Sequence, residues 1–184
     1  MEEFKKQAKE KMEKSIESLR NDFASMRTGR ASLSIIDGIR IDAYGSQMKI
    51  DQVASMAVPE SRLLTIQPWD PKMIQPIEKA ILKSDLGINP TNDGKIIRLA
   101  IPQLTEERRK QIVKLAHKKA EESKIAVRNI RRDINEKIKK HGKDNNVSKD
   151  LIKDEGDELQ TITDKYIKKI DEILHHKEAE IMEV

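Results

Sequence analysis

Apolar residues recur at steps of three and four along three long stretches of the chain, which is the spacing of one face of an α-helix. The stretches cover residues 1–28, 105–141 and 148–182. A lone helix cannot bury such a stripe, so the pattern predicts that the three helices pack together as a bundle. In the third helix the predicted stripe comprises Leu159, Ile162, Tyr166, Ile170, Ile173 and Ile181.

Residues that favour helix ends mark the limits of these helices. Gly29 is predicted to end the first helix, and Gly142 the second. Ser148 is predicted to cap the third helix at its N-terminus. A parallel coiled coil between chains has the same periodicity, but the short turn between Gly142 and Ser148 favours antiparallel neighbours within one chain.

The middle of the chain, residues 31–103, has a different pattern and holds all six prolines. Alternating apolar residues over 39–43, followed by Gly45, predict a β-hairpin. Further strands are predicted at 63–66 and 96–101, with an amphipathic helix at 73–84 between them.

Together these elements predict an α+β fold in two domains. Residues 1–29 and 105–184 form a discontinuous three-helix bundle, and residues 31–103 form a small inserted β/α/β domain. Linkers near 30–34 and 102–104 connect the domains, and paired short linkers typically allow hinge-like rotation. The predicted hinge residues are Gly29, Ala31, Ser32, Pro102, Gln103 and Leu104.

Composition excludes several classes of function. The 184 residues include no cysteine, which removes disulfides, thiolate metal sites and cysteine nucleophiles. No apolar segment has the length of a signal sequence or a membrane span, so we expect a cytoplasmic protein without a membrane partner. The four histidines and seven glycines form no metal-binding or phosphate-binding motif. We therefore predict no enzyme activity, no catalytic or metal-ligating residues and no cofactor.

Charge is distributed unevenly along the chain, whose formal net charge is +4. Residues 105–143 carry 14 basic and 6 acidic side chains, whereas residues 144–184 carry 6 and 12. A like-charge surplus on one helix is costly through self-repulsion, so it favours an anionic partner. At about 100° per residue, seven cations of the second helix share an arc of about 100° beside its apolar stripe. This basic ridge comprises Lys110, Lys114, Lys124, Arg128, Arg131, Arg132 and Lys139.

A straight row of cations predicts contact with a phosphate backbone, and pairing with the acidic third helix is the alternative. Three of the five aromatic residues lie in apolar stripes, which favours structured RNA or DNA over stacking on single-stranded bases. Two other classes of function share these features. One is a helical coiled-coil adaptor or chaperone, and the other is a general structured nucleic-acid-binding protein.

Short motifs along the chain resemble those of the bacterial ribosome recycling factor family. They are Arg27-Thr28-Gly29-Arg30-Ala31-Ser32, Asn89-Pro90, Asp93-Gly94, Ile97-Arg98-Leu99, residues 102–110 and residues 127–133. The similarity covers nearly the whole chain, in the order and spacing of the family. One departure is Leu33, at a position where the family often has proline.

This resemblance implies an L-shaped molecule of about tRNA outline that binds the post-termination ribosome. With elongation factor G and GTP, such proteins separate the ribosomal subunits and release them from mRNA. The resemblance also implies that Arg128, Arg131 and Arg132 contact large-subunit rRNA, with Arg27 and Arg30 as further candidates. We add Lys110, Lys114 and Lys124 of the basic ridge to this rRNA-binding set. We expect the chain to act as a monomer.

Overall fold

The structure is a computed structural model that describes residues 2–183. Its helices and strands, in chain order, are α1 (Glu2–Ser25), β1 (Arg40–Ala43), β2 (Ser46–Lys49), β3 (Ala54–Glu60), β4 (Leu63–Pro68), α2 (Ile74–Lys83), β5 (Thr91–Asn92), β6 (Ile97–Ala100), α3 (Glu106–Asp144) and α4 (Lys149–Met182). They belong to two compact units. The helical unit takes in the chain up to Met26 together with Glu107–Glu183, and the small unit takes in Arg27–Glu106.

In the helical unit, α1, α3 and α4 bury their apolar stripes against one another. The fully buried residues come from all three helices and include Met12, Ile16, Val127, Ile134, Leu159 and Ile170. Because the stripes are covered within the chain itself, no second chain is needed to bury them. The predicted α+β class, with long helices and a small sheet domain, is confirmed.

The buried face of α4 differs from the predicted one by about one residue. Thr163 and Leu174 are buried, whereas Ile162 and Ile173 are only partly covered. The Thr163 hydroxyl donates to the Leu159 carbonyl oxygen at 2.8 Å, so this buried polar group is satisfied. Thr163 was absent from the predicted stripe because that stripe was assembled from apolar residues alone.

A buried lysine connects α1 to α4. The Lys5 side chain is only 8% exposed, and its ammonium lies 2.6 Å from Glu158 and 3.4 Å from Glu155 on α4. Hydrogen bonds from the ammonium to Glu158 and to Glu2 raise the pKa of Lys5 above its ordinary value. Because leaving such a charge unpaired would be costly, this cluster holds the start of α1 beside α4.

The predicted end of the first helix is wrong. α1 ends at Ser25, whose hydroxyl donates a hydrogen bond to the Asp22 carbonyl oxygen in the last turn. Gly29 lies beyond the helix, in the small unit, with a φ of 81°. The backbone conformation favours glycine there, and a Cβ on Gly29 would lie 3.1 Å from Cγ of Leu104, so that side chain would also have to shift.

The predicted end of the second helix is also wrong, because α3 continues through Gly142 to Asp144. Asn146 is the left-handed residue that ends it, with a φ of 52°. The Val147 N–H donates to the Gly142 carbonyl oxygen at 2.9 Å, and the Asn146 N–H donates to that of Lys143. These two bonds form a Schellman motif with asparagine in the usual position of glycine.

The predicted N-cap of the third helix is confirmed. The Ser148 hydroxyl oxygen accepts a hydrogen bond from the Leu151 N–H at 3.3 Å. This bond satisfies one of the N–H groups that the first turn of a helix leaves without a partner.

The small unit contains the β1–β2 hairpin and an antiparallel sheet with strands in the order β3-β4-β6-β5. Its core includes Ile41, Leu64, Ile66, Ile77 and Leu99. The predicted hairpin, the two predicted strands and the predicted helix correspond to β1–β2, β4, β6 and α2. Two strands were not predicted: β3, which is exposed at five of its seven positions and shows no clear alternation, and β5, which has two residues.

The turn between β5 and β6 is fixed by one carboxylate. Asp93 accepts hydrogen bonds from the N–H groups of Ile96 at 2.9 Å and Lys95 at 3.0 Å, and from the guanidinium of Arg98 at 3.0 Å. These donors, the backbone N–H groups first, lower the pKa of Asp93 to about 2.

Gly142 of α3 packs against the first turns of α4, beside the turn that joins the two helices. A Cβ added there would lie 2.7 Å from Cγ1 of Ile152, on the first turns of α4. Gly156, within α4, offers a matched comparison, since the nearest atom to its added Cβ is Oδ1 of Asn135 at 3.6 Å.

We expect Gly142→Ala to lower the free energy of unfolding by about 1–3 kcal/mol, because the methyl group overpacks the contact with Ile152. Gly156→Ala should raise it by up to about 1 kcal/mol, because alanine has the higher helix propensity and has room. Chemical denaturation of both variants measures the difference. Adding Ile152→Ala to Gly142→Ala should recover part of the lost free energy of unfolding. Effects of the same sign at both glycines would contradict a tight contact between Gly142 and Ile152.

Candidate nucleic-acid interface

The basic ridge extends along α3, a helix of 39 residues and therefore roughly 58 Å long. Packing against α4 divides it into two rows. The inner row, Lys124 and Arg131, lies at the edge of α4. The outer row lies further round α3 and comprises Lys110, Lys114, Arg128, Arg132 and Lys139.

The inner row is tied to α4. The Lys124 side chain is 17% exposed, and its ammonium lies 2.6 Å from the carboxylate of Asp171. Arg131 donates from Nη1 to Oε1 of Gln160 at 2.6 Å, and Gln160 donates in turn to Asp164 at 2.7 Å. Lys124 therefore pairs with the acidic helix, which was the alternative to contact with a phosphate backbone.

Arg131 is oriented without being neutralised. Its partner Gln160 is an uncharged amide, and the bond between them uses one of the five N–H donors of the guanidinium. The remaining donors and the full positive charge stay available to a ligand. Because Gln160 and Asp164 hold it in place, Arg131 loses less conformational entropy on binding than a free side chain would.

The outer row faces solvent. Lys114, Arg132, Lys110 and Lys139 are exposed, and within residues 2–183 Lys114 and Arg132 make no ion pair or side-chain hydrogen bond. From Lys110 to Lys139 the row covers about 44 Å along the helix axis, at 1.5 Å per residue. Exposed cations at this spacing can contact successive phosphates of a nucleic-acid backbone.

One acidic residue interrupts the outer row. The Glu121 side chain is 56% exposed and lies 3.2 Å from Nη1 of Arg128 and 3.9 Å from the ammonium of Lys124. Glu121 was not predicted as part of the site, because the predicted ridge contains cations alone. A helical wheel contains the signal, since Glu121 lies three residues before Lys124 and seven before Arg128.

Arg27 and Arg30 belong to the small unit. Arg27 is exposed and lines a groove between β1 and α2, together with Arg40, Lys79 and Lys83. Arg30 is partly buried. The groove thus adds a second group of cations, on an element that the sequence analysis had not connected with binding.

All six predicted hinge residues lie within the small unit, and two of them are held there by hydrogen bonds. The Ala31 N–H donates to the Ser61 carbonyl oxygen at 2.8 Å. The Ser32 hydroxyl accepts from the Ser34 N–H at 3.2 Å and caps a short 3₁₀ turn, Leu33–Ile35. Among the others, Pro102 and Gln103 are exposed, and Gly29 and Leu104 contact each other.

Within residues 2–183, no three histidine or acidic side chains lie close enough together to hold a metal ion. No helix in this part of the chain combines the length and the apolar character that a membrane span requires.

Comparison with known proteins gives one consistent result. A family model described as ribosome recycling factor matches residues 19–182. A ribosome-recycling factor of Desulfatibacillum aliphaticivorans is 58% identical over 177 residues, 96% of each chain. One from Nitratidesulfovibrio vulgaris (strain DP4) is 54% identical over 184 residues, covering 100% of this chain and 99% of that protein.

Solved structures agree with this result. A solution structure of a ribosome recycling factor superposes with a TM-score of 0.76 at 41% identity, covering 100% of this chain and 97% of that one. A second structure is described as models of the T. thermophilus ribosome recycling factor and the E. coli elongation factor G bound to the E. coli post-termination complex. It has a TM-score of 0.66 at 40% identity and covers 99% of this chain and 98% of that one.

We expect Glu121→Gln to tighten binding to structured RNA by about two- to five-fold, because a surface charge interaction is worth up to about 1 kcal/mol. The substitution removes the carboxylate that repels phosphates and releases Arg128. Fluorescence anisotropy with a labelled RNA hairpin measures the affinity. Glu122→Gln is the control, because Glu122 is similarly exposed but pairs with Lys119 on another face of α3. An equal effect of both variants would contradict the role of Glu121.

Proposed function

The chain belongs to the ribosome recycling factor family, and from that premise we propose that it binds the post-termination ribosome through the basic ridge of α3. In this proposal the ridge contacts large-subunit rRNA. Elongation factor G and GTP then act on the bound protein, the ribosomal subunits separate, and the ribosome is released from mRNA.

The observation that carries the rRNA contact is the outer row of the ridge. Lys114 and Arg132 are exposed and keep their charge uncompensated within residues 2–183, whereas Lys124 is paired with Asp171. Arginine forks suit bidentate contacts with phosphate, so Arg132, together with the preoriented Arg131, is proposed as the strongest anchor. Lysines of the outer row add phosphate contacts on either side of it.

Elongation factor G is the proposed partner that supplies the energy. A related protein has been described with that factor on a post-termination complex. The present sequence holds no phosphate-binding loop of its own. GTP hydrolysis is therefore assigned to the partner, and this chain contributes binding and mechanical transmission, in the cytoplasm with the ribosomes.

We expect the double variant Lys114→Gln/Arg132→Gln to bind large subunits about tenfold or more weakly, because charge-assisted contacts are worth about 1.5 kcal/mol or more each. The salt dependence of binding should lose roughly one unit of slope for each phosphate contact removed. Arg131→Gln should weaken binding in the same way. Breakdown of polysomes with elongation factor G and GTP measures recycling.

Lys119→Gln is the matched control for the single variant Arg131→Gln, because each removes one positive charge from α3 and Lys119 is paired with Asp22 and Glu122. It should leave the salt slope and recycling unchanged. Normal recycling by the double variant would refute the ridge as the anchor. Equal competition by duplex DNA and by large subunits would point instead to a general nucleic-acid-binding protein.

We further propose that the small unit rotates relative to the bundle about the linkers near Gly29 and residues 102–104. The chain passes between the two units twice, after Met26 and at Glu106, and paired linkers favour rotation about one axis. Such rotation would let a force on the small unit act on a bundle that stays anchored to rRNA.

Because the chain has no cysteine, spin labels can be attached at two chosen positions without interference. With labels at Lys83→Cys and Lys143→Cys, one in each unit, we expect pulsed electron paramagnetic resonance to give a broad distribution of distances between the two labels. Glu10→Cys with Lys143→Cys, both in the helical unit, should give a narrow one. Equally narrow distributions for both pairs would contradict the hinge.

A further inference from the structure

Two aromatic side chains of the small unit stand out by their exposure. Tyr44 is 70% exposed and Trp69 is 67% exposed, the highest values for large apolar side chains among residues 2–183. Neither takes part in the apolar core of its unit. Exposed aromatic rings of this size are usual at protein interfaces and uncommon elsewhere on a surface.

The two residues lie close together on a rigid support. The Tyr44 hydroxyl donates to Oδ2 of Asp70, the residue after Trp69, at 3.4 Å. The Trp69 N–H donates to the Val53 carbonyl oxygen at 3.1 Å, and Asp70 also accepts from the Lys72 N–H at 2.9 Å. We call Tyr44, Trp69 and Asp70 the aromatic patch.

Tyr44 occupies a backbone position that tyrosine disfavours. It has a φ of 51° and Gly45 a φ of 80°, in the two-residue turn that joins β1 to β2. A turn with two positive φ values is of type I′, in which asparagine, aspartate and glycine are preferred at the first position. A bulky residue there is strained, and strain of this kind concentrates at functional sites.

The charges around the patch favour a protein partner over a nucleic acid. Asp42, two residues before Tyr44, is exposed, as is Asp51 close to Val53, and Asp70 in the patch is partly buried. Lys72 is the cation nearest in sequence to Trp69. A stacking platform for bases normally lies in a positively charged groove, whereas carboxylates repel phosphates.

We propose that the aromatic patch docks against a ribosome-bound protein whose surface offers an apolar recess with basic residues around it. Tyrosine and tryptophan are the residues that most often dominate binding energy, and basic groups of the partner would complement Asp42 and Asp70. This inference rests on the proposed function, because it takes the ribosome as the place where the partner is met. It concerns the small unit and is independent of the ridge on α3.

The turn position makes one substitution especially informative. Tyr44→Asn removes the ring and installs a residue that the turn prefers, so the melting temperature should rise while recycling falls by about tenfold or more. Trp69→Ala should cause a similar loss of recycling. Leu82→Ala is the control, because Leu82 is 59% exposed in the same unit but lies outside the patch. Unchanged recycling by Tyr44→Asn and Trp69→Ala would overturn the proposal.

A crosslink identifies the chemical class of the partner. We would replace Trp69 with p-benzoylphenylalanine, bind the protein to purified 70S ribosomes, irradiate, and analyse the product with nuclease and protease. The expected result is a crosslink to one basic protein, above the yield of the same replacement at Leu82. A crosslink to RNA would overturn the proposal, as would a yield no higher than the control while the protein sediments with ribosomes. If the protein did not cosediment with ribosomes, the result would contradict the proposed function as well as this proposal.

Discussion

The turn between α3 and α4 is the constraint on which the helical unit depends. It is closed by the Schellman bonds of Asn146 and Val147 and by the Ser148 cap, and it brings Gly142 against Ile152. Because both helices run on for more than 30 residues, the register set at this turn is carried along their whole length. The facing pairs that result are His117 with Glu178, Lys124 with Asp171 and Arg131 with Gln160. A shift of one residue would rotate each side chain by about 100° and separate every pair.

That register also determines which charges of α3 stay available. The acidic helix neutralises Lys124, orients Arg131 through an uncharged amide, and does not reach Arg132 or Lys114. The proposed binding surface is therefore the part of the charged helix that intramolecular pairing leaves exposed. This explains how a chain with a net charge of only +4 presents a long row of exposed cations. Glu121 lowers the positive charge that this row presents, because no group of α4 covers its carboxylate.

Much of this arrangement could be predicted from the sequence, because helical periodicity and capping are local properties. The three long helices, the Ser148 cap and the arc of cations followed from spacing alone. Gly142 was misassigned because a glycine that ends a helix and one that admits a neighbouring helix look alike until Ile152 is in place. The edge strand β3 was not predicted because most of its side chains are exposed, so its sequence shows no alternation of apolar and polar residues. Pairing within the ridge depended on where α4 lies, which periodicity does not specify.

The two proposed binding surfaces differ in their chemistry. The ridge would act through phosphate contacts, which release counterions and weaken steeply as salt rises. The aromatic patch would act mainly through burial of its rings, so salt would weaken its binding less steeply than that of the ridge. When two such sites on one chain engage one large particle, the second contact is intramolecular and adds to the overall affinity without being strong itself. Release then requires only that one of the two contacts be broken and prevented from re-forming. A hinge between the units would therefore let a factor acting on the small unit lower the affinity of the whole protein without any chemical change in the ridge.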